Sequence, residues 1–212
     1  MRLGLISDIH ADHGALVRAL DVLQERGAEK VVCLGDMVEK GPHGDQVIEV
    51  LREHLVVCVR GNHDDNAVRR FHEGDADDGD PILSAESVAY LESLPVERAY
   101  RWNGLRVLLA HTAPGSPEEH VLPGEIPRKV KRALRTIDAD VLLLGHTHRP
   151  MKVRHGPVWL LNPGSVAGSR PRDSSTCAIV DLPSLAMEVL SLGKGEPISF
   201  ACDPGVSSAS PE

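Results

Sequence analysis

The sequence begins with the stretch MRLGLISDIH, residues 1–10, in which a mostly apolar run is followed directly by a carboxylate and an imidazole side chain. The run Arg2–Ser7 predicts a short buried strand that ends at Asp8. Asp8 and His10 then stand two residues apart, a spacing that points both side chains to the same side of an extended chain. The opening stretch therefore predicts a sheet that presents polar groups where a strand ends.

The residues that follow alternate between helical and strand patterns. Helices are predicted over His13–Arg26 and Asp45–His54, because their apolar residues recur at helical spacing. Short apolar runs at Lys30–Leu34 and Leu55–Arg60 predict strands. Strands that alternate with helices in this way form parallel βαβ units with right-handed crossovers.

The pattern of the remaining residues predicts two more helices, a hairpin and several short strands. Helices are expected over Ser84–Leu94 and Arg128–Ile137, and Asn103-Gly104 predicts the turn of a hairpin. The acidic segment Glu73–Asp80 and the proline-rich segment Thr112–Pro127 are expected to be loops. The predicted strands are Tyr100–Trp102, Leu105–Ala110, Val141–Leu144, Lys152–Arg154, Val158–Leu161, Cys177–Val180 and Ala186–Leu190. We expect a single domain over residues 1–192 and a flexible tail over 193–212, which is rich in Gly, Ser and Pro.

Composition limits the classes of function. The 212 residues are 42% hydrophobic and 25% charged, which is ordinary for a globular protein. A net charge of −8 and only 3% aromatic residues disfavour a stable nucleic-acid partner. No apolar run reaches the roughly 18 residues of a membrane span. The four cysteines form no CxxC pair and no signal peptide follows Met1, so we expect a cytoplasmic protein.

Five polar clusters directly follow predicted strands, and the ends of parallel strands meet at one edge of a sheet. They supply carboxylate, amide and imidazole groups but no thiolate, which argues against a structural zinc site and suits Mn, Fe, Co or Zn. Asp36 is the natural candidate to bridge two cations, and such a pair can activate a water and neutralise phosphoryl charge. The clusters are Asp8/His10, Asp36, Asn62/His63, His111 and His146/His148.

The same clusters carry a resemblance to a known family. In order, Asp8-Ile9-His10, Gly35-Asp36, Gly61-Asn62-His63-Asp64, His111 and Gly145-His146-Thr147-His148 resemble the motifs of the calcineurin-like metallophosphoesterases. The resemblance runs from residue 1 to about 190, and Asn162-Pro163-Gly164-Ser165-Val166 is similar to the small bacterial single-domain branch. It implies an α/β fold (α+β-like, in four layers) with two mixed β-sheets packed face to face and flanked by helices.

The resemblance also implies a dinuclear metal site, with Mn favoured and Fe, Co, Ni or Zn as alternatives. One metal would be held by Asp8, His10, Asp36 and His148, and the second by Asp36, Asn62, His111 and His146. His63 would lie beside the metals as a general acid or a donor to the phosphoryl oxygens, and Asp64 would orient it. The other histidines are expected at the surface: His13, His43, His54, His72, His120 and His155.

The expected activity is hydrolysis of a small phosphate ester, with a metal-bridging hydroxide attacking phosphorus in line. Lys40 stands where phosphoprotein phosphatases have arginine, and it lacks the bidentate fork of that residue. We therefore favour phosphodiesters such as small or cyclic nucleotides over phosphomonoesters or phosphoproteins. Arg60 and Arg149 are candidate substrate contacts, followed by Arg170 and Arg172. A non-catalytic scaffold and a metal or nucleotide sensor stay open as alternatives, as does the oligomeric state.

Overall fold

The computed structural model of the chain describes residues 1–74, 81–168 and 175–202. Its helices are α1 (His13–Glu25), α2 (Gly44–Glu53), α3 (Asn62–Glu73), α4 (Ala85–Ser93) and α5 (Arg128–Ala133). Its strands are β1 (Arg2–Ile6), β2 (Lys30–Cys33), β3 (Val57–Cys58), β4 (Glu97–Trp102), β5 (Leu105–Ala110), β6 (Val141–Leu143), β7 (Met151–His155), β8 (Val158–Asn162), β9 (Thr176–Asp181), β10 (Ala186–Ser191), β11 (Pro197–Ile198) and β12 (Ala201–Cys202).

The strands form two mixed sheets. The first sheet has the order β11-β10-β9-β1-β2-β3, with β1, β2 and β3 parallel and β9 antiparallel to β1. The second sheet has the order β12-β7-β8-β6-β5-β4, with β5, β6 and β8 parallel. Parallel neighbours are joined through crossovers, so β1–β3 send their carboxyl ends to one edge of the first sheet, and β5 and β6 do so in the second.

The two sheets pack face to face between layers of helix, as the family resemblance implies. Leu3 and Leu5 of β1 lie in the core between the sheets together with Leu109 of β5. Ile6 instead faces the core under α1 and α2. Gly4 also lies on the helix side, where an added Cβ would come within 3.0 Å of Leu23 in α1. A third core joins α5 to the outer face of the second sheet. None of the helices in the described ranges is long and apolar enough to cross a membrane.

The structure contains one helix and two short strands that the sequence does not predict. Helix α3 begins within the Gly-Asn-His-Asp stretch, at Asn62, and was not predicted, because its buried positions include the polar residues Asp64 and Arg70 and leave only a short apolar stripe. Residues 197–202, assigned to a flexible tail by their composition, instead contribute β11 and β12. The physical reason is that Ile198 and Phe200 pack against the core between the sheets. The predicted contacts Arg170 and Arg172, and residues 75–80 and 203–212, lie outside the described residues.

Candidate metal centre

The polar clusters predicted at strand ends come together between the two sheets. Side chains after β1 and β2 of the first sheet meet side chains after β5 and β6 of the second. Three overlapping groups place their nitrogen or carboxylate oxygen atoms within 4.8 Å of one another. These groups are Asp8, His10 and His148; His10, Asp36 and His63; and Asp36, His111 and His146. Asn62 begins α3 and lines a cleft together with His111.

The backbone turns sharply where these side chains leave the strands. Five of the predicted ligands have positive φ angles, although none is a glycine. Such backbone conformations cost free energy in residues with a Cβ, and they cluster at functional sites where the surrounding structure enforces them. The residues are Asp8 (55°), His10 (48°), Asp36 (53°), His146 (69°) and His148 (56°). The fold thus aims side chains that an ordinary strand end would direct elsewhere.

Two glycines of the motifs let the strand ends approach this closely. A Cβ on Gly61 would lie 2.2 Å from Asp36 Oδ1 and 2.4 Å from the Asp36 nitrogen. A Cβ on Gly145 would lie 2.0 Å from Ser7 Oγ and 3.0 Å from His111 Nδ1. Both positions touch groups that cannot move away without displacing a candidate ligand. The glycines are therefore required by packing around the site.

Asp36 lies at the middle of the cluster. Its Oδ1 accepts a hydrogen bond from the His63 backbone nitrogen at 2.9 Å, and its Oδ2 lies 3.1 Å from His111 Nε2. Burial alone would raise the pKa of this carboxyl group, but the hydrogen bond and charge of His111 outweigh burial and lower it. The carboxylate is thus held ionised, and it belongs to two of the three groups.

The imidazoles around Asp36 differ in the direction in which their surroundings shift their pKa values. His111 Nδ1 donates to the Leu34 carbonyl at 2.7 Å, which leaves Nε2 facing Asp36. Burial lowers the pKa of His111, but Asp36 outweighs that effect and raises the pKa to about 9. Burial, followed by the charge of Lys40, lowers the pKa of His10 to about 4. Burial, followed by the charge of His111, likewise lowers the pKa of His146 to about 4. Neutral imidazole is the form that binds a metal ion.

Several buried atoms of the cluster fit a cation. Asp8 Oδ1 and His10 Nδ1 are buried without a hydrogen bond. Buried polar atoms are almost always paired, so two such atoms in one cluster need an explanation. Asp8 Oδ1 lies 3.2 Å from His148 Nε2, which is about the separation of two atoms that share one ion at about 2.1 Å each. The carboxylate and imidazole donors therefore suit a divalent transition metal.

His63 is oriented by a residue that the sequence did not single out. Its Nδ1 lies 2.6 Å from Glu39 Oε2, and Glu39 is itself held by Asn66 Nδ2 at 2.5 Å and Arg70 Nη1 at 3.5 Å. Burial raises the pKa of Glu39, but the hydrogen bonds from His63 and Asn66 outweigh burial and lower it. Glu39 follows Asp36 by three residues, and this closeness to a predicted ligand was the only sign in the sequence that Glu39 belongs to the site.

The prediction that Asp64 orients His63 is wrong. The Asp64 carboxylate is fully buried and accepts four backbone N–H groups, from Gly61 at 2.8 Å, Asp36 at 3.0 Å, Met37 at 2.8 Å and Val38 at 3.2 Å. Successive residues of a helix point about 100° apart, so the neighbour of His63 on α3 faces a different direction. Asp64 is a structural residue that joins the start of α3 to the loop after β2.

The predicted substrate contacts Arg60 and Arg149 lie around the cluster of candidate metal ligands. Arg60 Nη1 donates to the Leu91 carbonyl at 3.2 Å, and its Nε lies 2.5 Å from Asp65 Oδ1. Arg149 is exposed beside His148. Lys40 Nζ lies 3.3 Å from His10 Nε2. A cleft of about 340 Å³ opens next to the cluster, with Arg60, Asn62, Val96, His111, Thr112 and Pro117 among its walls.

One histidine expected only at the surface also reaches the cluster. His120 is exposed, and its ring stacks on that of His146 with the centroids 4.7 Å apart. Its position within the 112–127 segment gave no sign of this contact, because the segment has no periodic pattern that fixes its path.

Comparisons with known proteins agree with this geometry. Residues 1–184 match the family model of the calcineurin-like phosphoesterase superfamily domain. The chain is 30% identical over 203 residues to the phosphodiesterase YfcE of Escherichia coli, and the match covers 90% of this chain and 92% of that protein. A metallophosphoesterase from Sphaerobacter thermophilus has a similar structure, with 27% identity, a TM-score of 0.68, and coverage of 89% of this chain and 86% of that one. A protein from Pyrococcus horikoshii shares the fold at 21% identity, with a TM-score of 0.74 and coverage of 90% and 87%.

Proposed function

The chain belongs to the calcineurin-like phosphoesterase superfamily, and from that premise we propose that it is a metal-dependent phosphodiesterase of small diesters such as cyclic or short nucleotides. The observation that carries this proposal is the convergence of carboxylate and imidazole atoms around Asp36. Two divalent cations, Mn²⁺ by preference, would share that residue. The first position would be held by Asp8, His10, Asp36 and His148, and the second position by Asp36, Asn62, His111 and His146.

Cations bound there would supply positive charge that lowers the pKa of a water and offsets charge on the phosphoryl oxygens. The chain contributes ligand orientation. The Leu34 carbonyl fixes the ring of His111, and the Gly61 and Gly145 packing holds the strand ends together. Buried Asp36 stays ionised, because His111 offsets the cost of burying its charge.

His63 would hold the proton that the departing oxygen needs. Glu39 accepts from Nδ1, so that Nε2 is left to donate toward the phosphoryl group or its leaving oxygen. Asn66 and Arg70 in turn fix Glu39. This chain of contacts gives the imidazole one orientation before any substrate binds, which is the requirement for efficient proton transfer.

The cleft beside Asn62 and His111 favours a diester. It has room for a second ester group next to the phosphorus position, and Arg60 in its wall already pairs with Asp65. A neutral second substituent suits such a surface better than the extra negative charge of a monoester. Lys40 near His10 favours the alternative, a phosphomonoesterase, because its ammonium group could bind the extra charge of a monoester.

The test compares one diester and one monoester with the same leaving group. Protein stripped of metal and reloaded with Mn²⁺ is assayed on bis(p-nitrophenyl) phosphate and p-nitrophenyl phosphate. Asp36→Asn should lose both metals and all turnover, while Asp21→Asn, an exposed aspartate on α1, should change neither. Faster monoester turnover would replace the diesterase proposal with a monoesterase. Absence of any turnover with metal bound would favour a scaffold, and two bound metals in Asp36→Asn would exclude bridging.

A further inference from the structure

The contact between His120 and His146 joins the 112–127 segment to the candidate metal centre. The two imidazole planes make an angle of 21°, and their centroids are 4.7 Å apart. His120 is otherwise exposed, so burial does not force its ring into this place. The stack therefore depends on where the backbone of the segment puts residue 120.

The backbone on both sides of His120 is anchored. Val121 is 3% exposed and packs in the core with Val130 and Leu134 of the α5 region. Before His120, the Ser116 nitrogen donates to the Ala113 carbonyl and the Glu119 nitrogen donates to the Ser116 carbonyl, each at 3.0 Å. These contacts fix the path of the segment, which carries the His120 ring to the face of His146.

His146 differs from the other imidazoles in how its ring is held. The His111 ring donates to the Leu34 carbonyl, and the His63 ring contacts Glu39. Among the described residues, no hydrogen bond reaches the ring of His146, and its backbone N–H donates to Asp8 Oδ2 at 3.1 Å. Its ring contacts are instead the ring of His111, with centroids 5.2 Å apart, and the stacked ring of His120.

We propose that His120 is a positioning residue, which holds the imidazole of His146 in the orientation that the second metal position requires. Histidine ligands usually depend on an outer partner that fixes the ring, most often a hydrogen-bond acceptor. Here the planar face of His120 takes that role. The inference rests on the proposed function only in taking His146 as a ligand of the second metal position. Because stacking needs a planar ring and no nitrogen, phenylalanine should replace His120, and alanine should not.

The experiment titrates Mn²⁺ into metal-stripped protein by calorimetry, without substrate. In His120→Ala the second ion should bind about tenfold more weakly, as is typical when an outer partner of a ligand is lost, while the first ion is unaffected. His120→Phe should bind both ions as the wild type does. His54→Ala, which removes an exposed histidine at the end of α2, is the matched control. In the assay, excess Mn²⁺ should restore the turnover that His120→Ala loses.

The outcomes separate this inference from the proposed function. Unchanged affinity for the second ion in His120→Ala overturns the positioning role, even in an active phosphodiesterase. The positioning role is also overturned if His120→Phe binds the second ion as weakly as His120→Ala, because a ring nitrogen would then be required. It is overturned as well if excess Mn²⁺ fails to restore turnover, because His120 would then act through a substrate contact. A tenfold loss of affinity that phenylalanine rescues supports it, even in a wild type without turnover on any phosphate ester.

Discussion

The hydrogen bond between His63 and Glu39 is the contact through which a buried carboxylate would control proton transfer. Glu39→Gln keeps the shape of the side chain but removes its charge and offers an amide to Nδ1. We expect turnover to fall about 10- to 100-fold on substrates with poor leaving groups, as when the outer partner of an active-site group is lost. Nitrophenyl esters should suffer less, because nitrophenolate leaves without a proton. Rates on both substrate types and metal content give the measurement.

The chain contains a natural control for that substitution. His72 and Glu92 form a second His–Glu pair at 2.8 Å, but both side chains are exposed. Glu92→Gln should therefore leave turnover unchanged on both substrates. Equal losses on good and poor leaving groups in Glu39→Gln, or loss of metal, would mean that Glu39 supports the site as a whole and does not act through His63.

At the scale of single residues, the sequence predicts most of the candidate ligands but not the partner of His63. Asp8, His10, Asp36, His111 and His148 could be selected because each follows an apolar strand, and parallel strand ends meet at one edge. The partner of His63 could not be selected in the same way. Glu39 and Asp64 are both carboxylates near it in the motifs, and only the direction of α3 separates them. Adjacent residues in a helix face different neighbours, and the Gly-Asn-His-Asp motif alone does not show that a helix begins within it.

At the scale of an element, the buried side chain of Asp64 makes the largest set of hydrogen bonds between α3 and the loop after β2. Asp64 accepts four backbone N–H groups, three of them from residues 36–38. Asp64→Ala leaves these buried donors unpaired, at a cost of about 1–3 kcal/mol for a single donor, so we expect a loss of about 3–5 kcal/mol in the free energy of unfolding. Metal affinity should fall as well, because the loop carries Asp36. Urea unfolding of the metal-free protein measures the effect.

Asp65→Ala is the matched comparison on the same helix. Asp65 is half exposed and pairs with Arg60, so its removal should cost less than about 1 kcal/mol. If the two substitutions cost the same, the three hydrogen bonds between Asp64 and residues 36–38 do not fasten the helix to the loop.

Elements differ in how well local sequence encodes them. The hairpin of β4 and β5 follows from Asn103-Gly104, whose φ angles of 47° and 84° match the turn that this pair favours. Helix α3 has no comparable signal, since the buried polar residues Asp64 and Arg70 interrupt its apolar face. Strands β11 and β12 lie in a segment whose Gly, Ser and Pro content indicates a tail, and their pairing depends on tertiary contacts of Ile198 and Phe200.

At the scale of the whole molecule, the pair of Asp36 and His111 connects the two sheets, because Asp36 follows β2 and His111 follows β5. The order of strands in each sheet was not predicted from the sequence. The meeting of the sheets at this pair rested on the family resemblance, since local pattern says nothing of which sheet faces which.

This connection predicts how stability depends on pH without metal. The pKa of His111 is raised to about 9, against an ordinary value of 6.5. The ion pair thus stabilises the metal-free fold fully below about pH 6.5, and this contribution is lost as pH rises through about 9. At 1.36 kcal/mol for each pKa unit, the loss is about 3 kcal/mol. Urea unfolding in the presence of a chelator at pH 6.5 and 9 should show it. Asp36→Asn removes the charge that raises the pKa, so its stability should be nearly flat over that range.

Metal binding should depend on pH in the opposite direction to the stability of the metal-free fold. The reason is that a cation must displace the proton of His111 before that ring can act as a ligand. Affinity for Mn²⁺ should therefore rise about tenfold per pH unit from pH 6.5 to 8.5, with close to one proton released for each ion that enters the position of His111. His10 and His146, whose pKa values are lowered to about 4, are already neutral and release none. Calorimetric titrations in two buffers of different ionisation enthalpy count the protons. Affinity that is independent of pH, with no proton released, would show that His111 is already neutral in the metal-free protein, and the ion pair would then not be what connects the sheets.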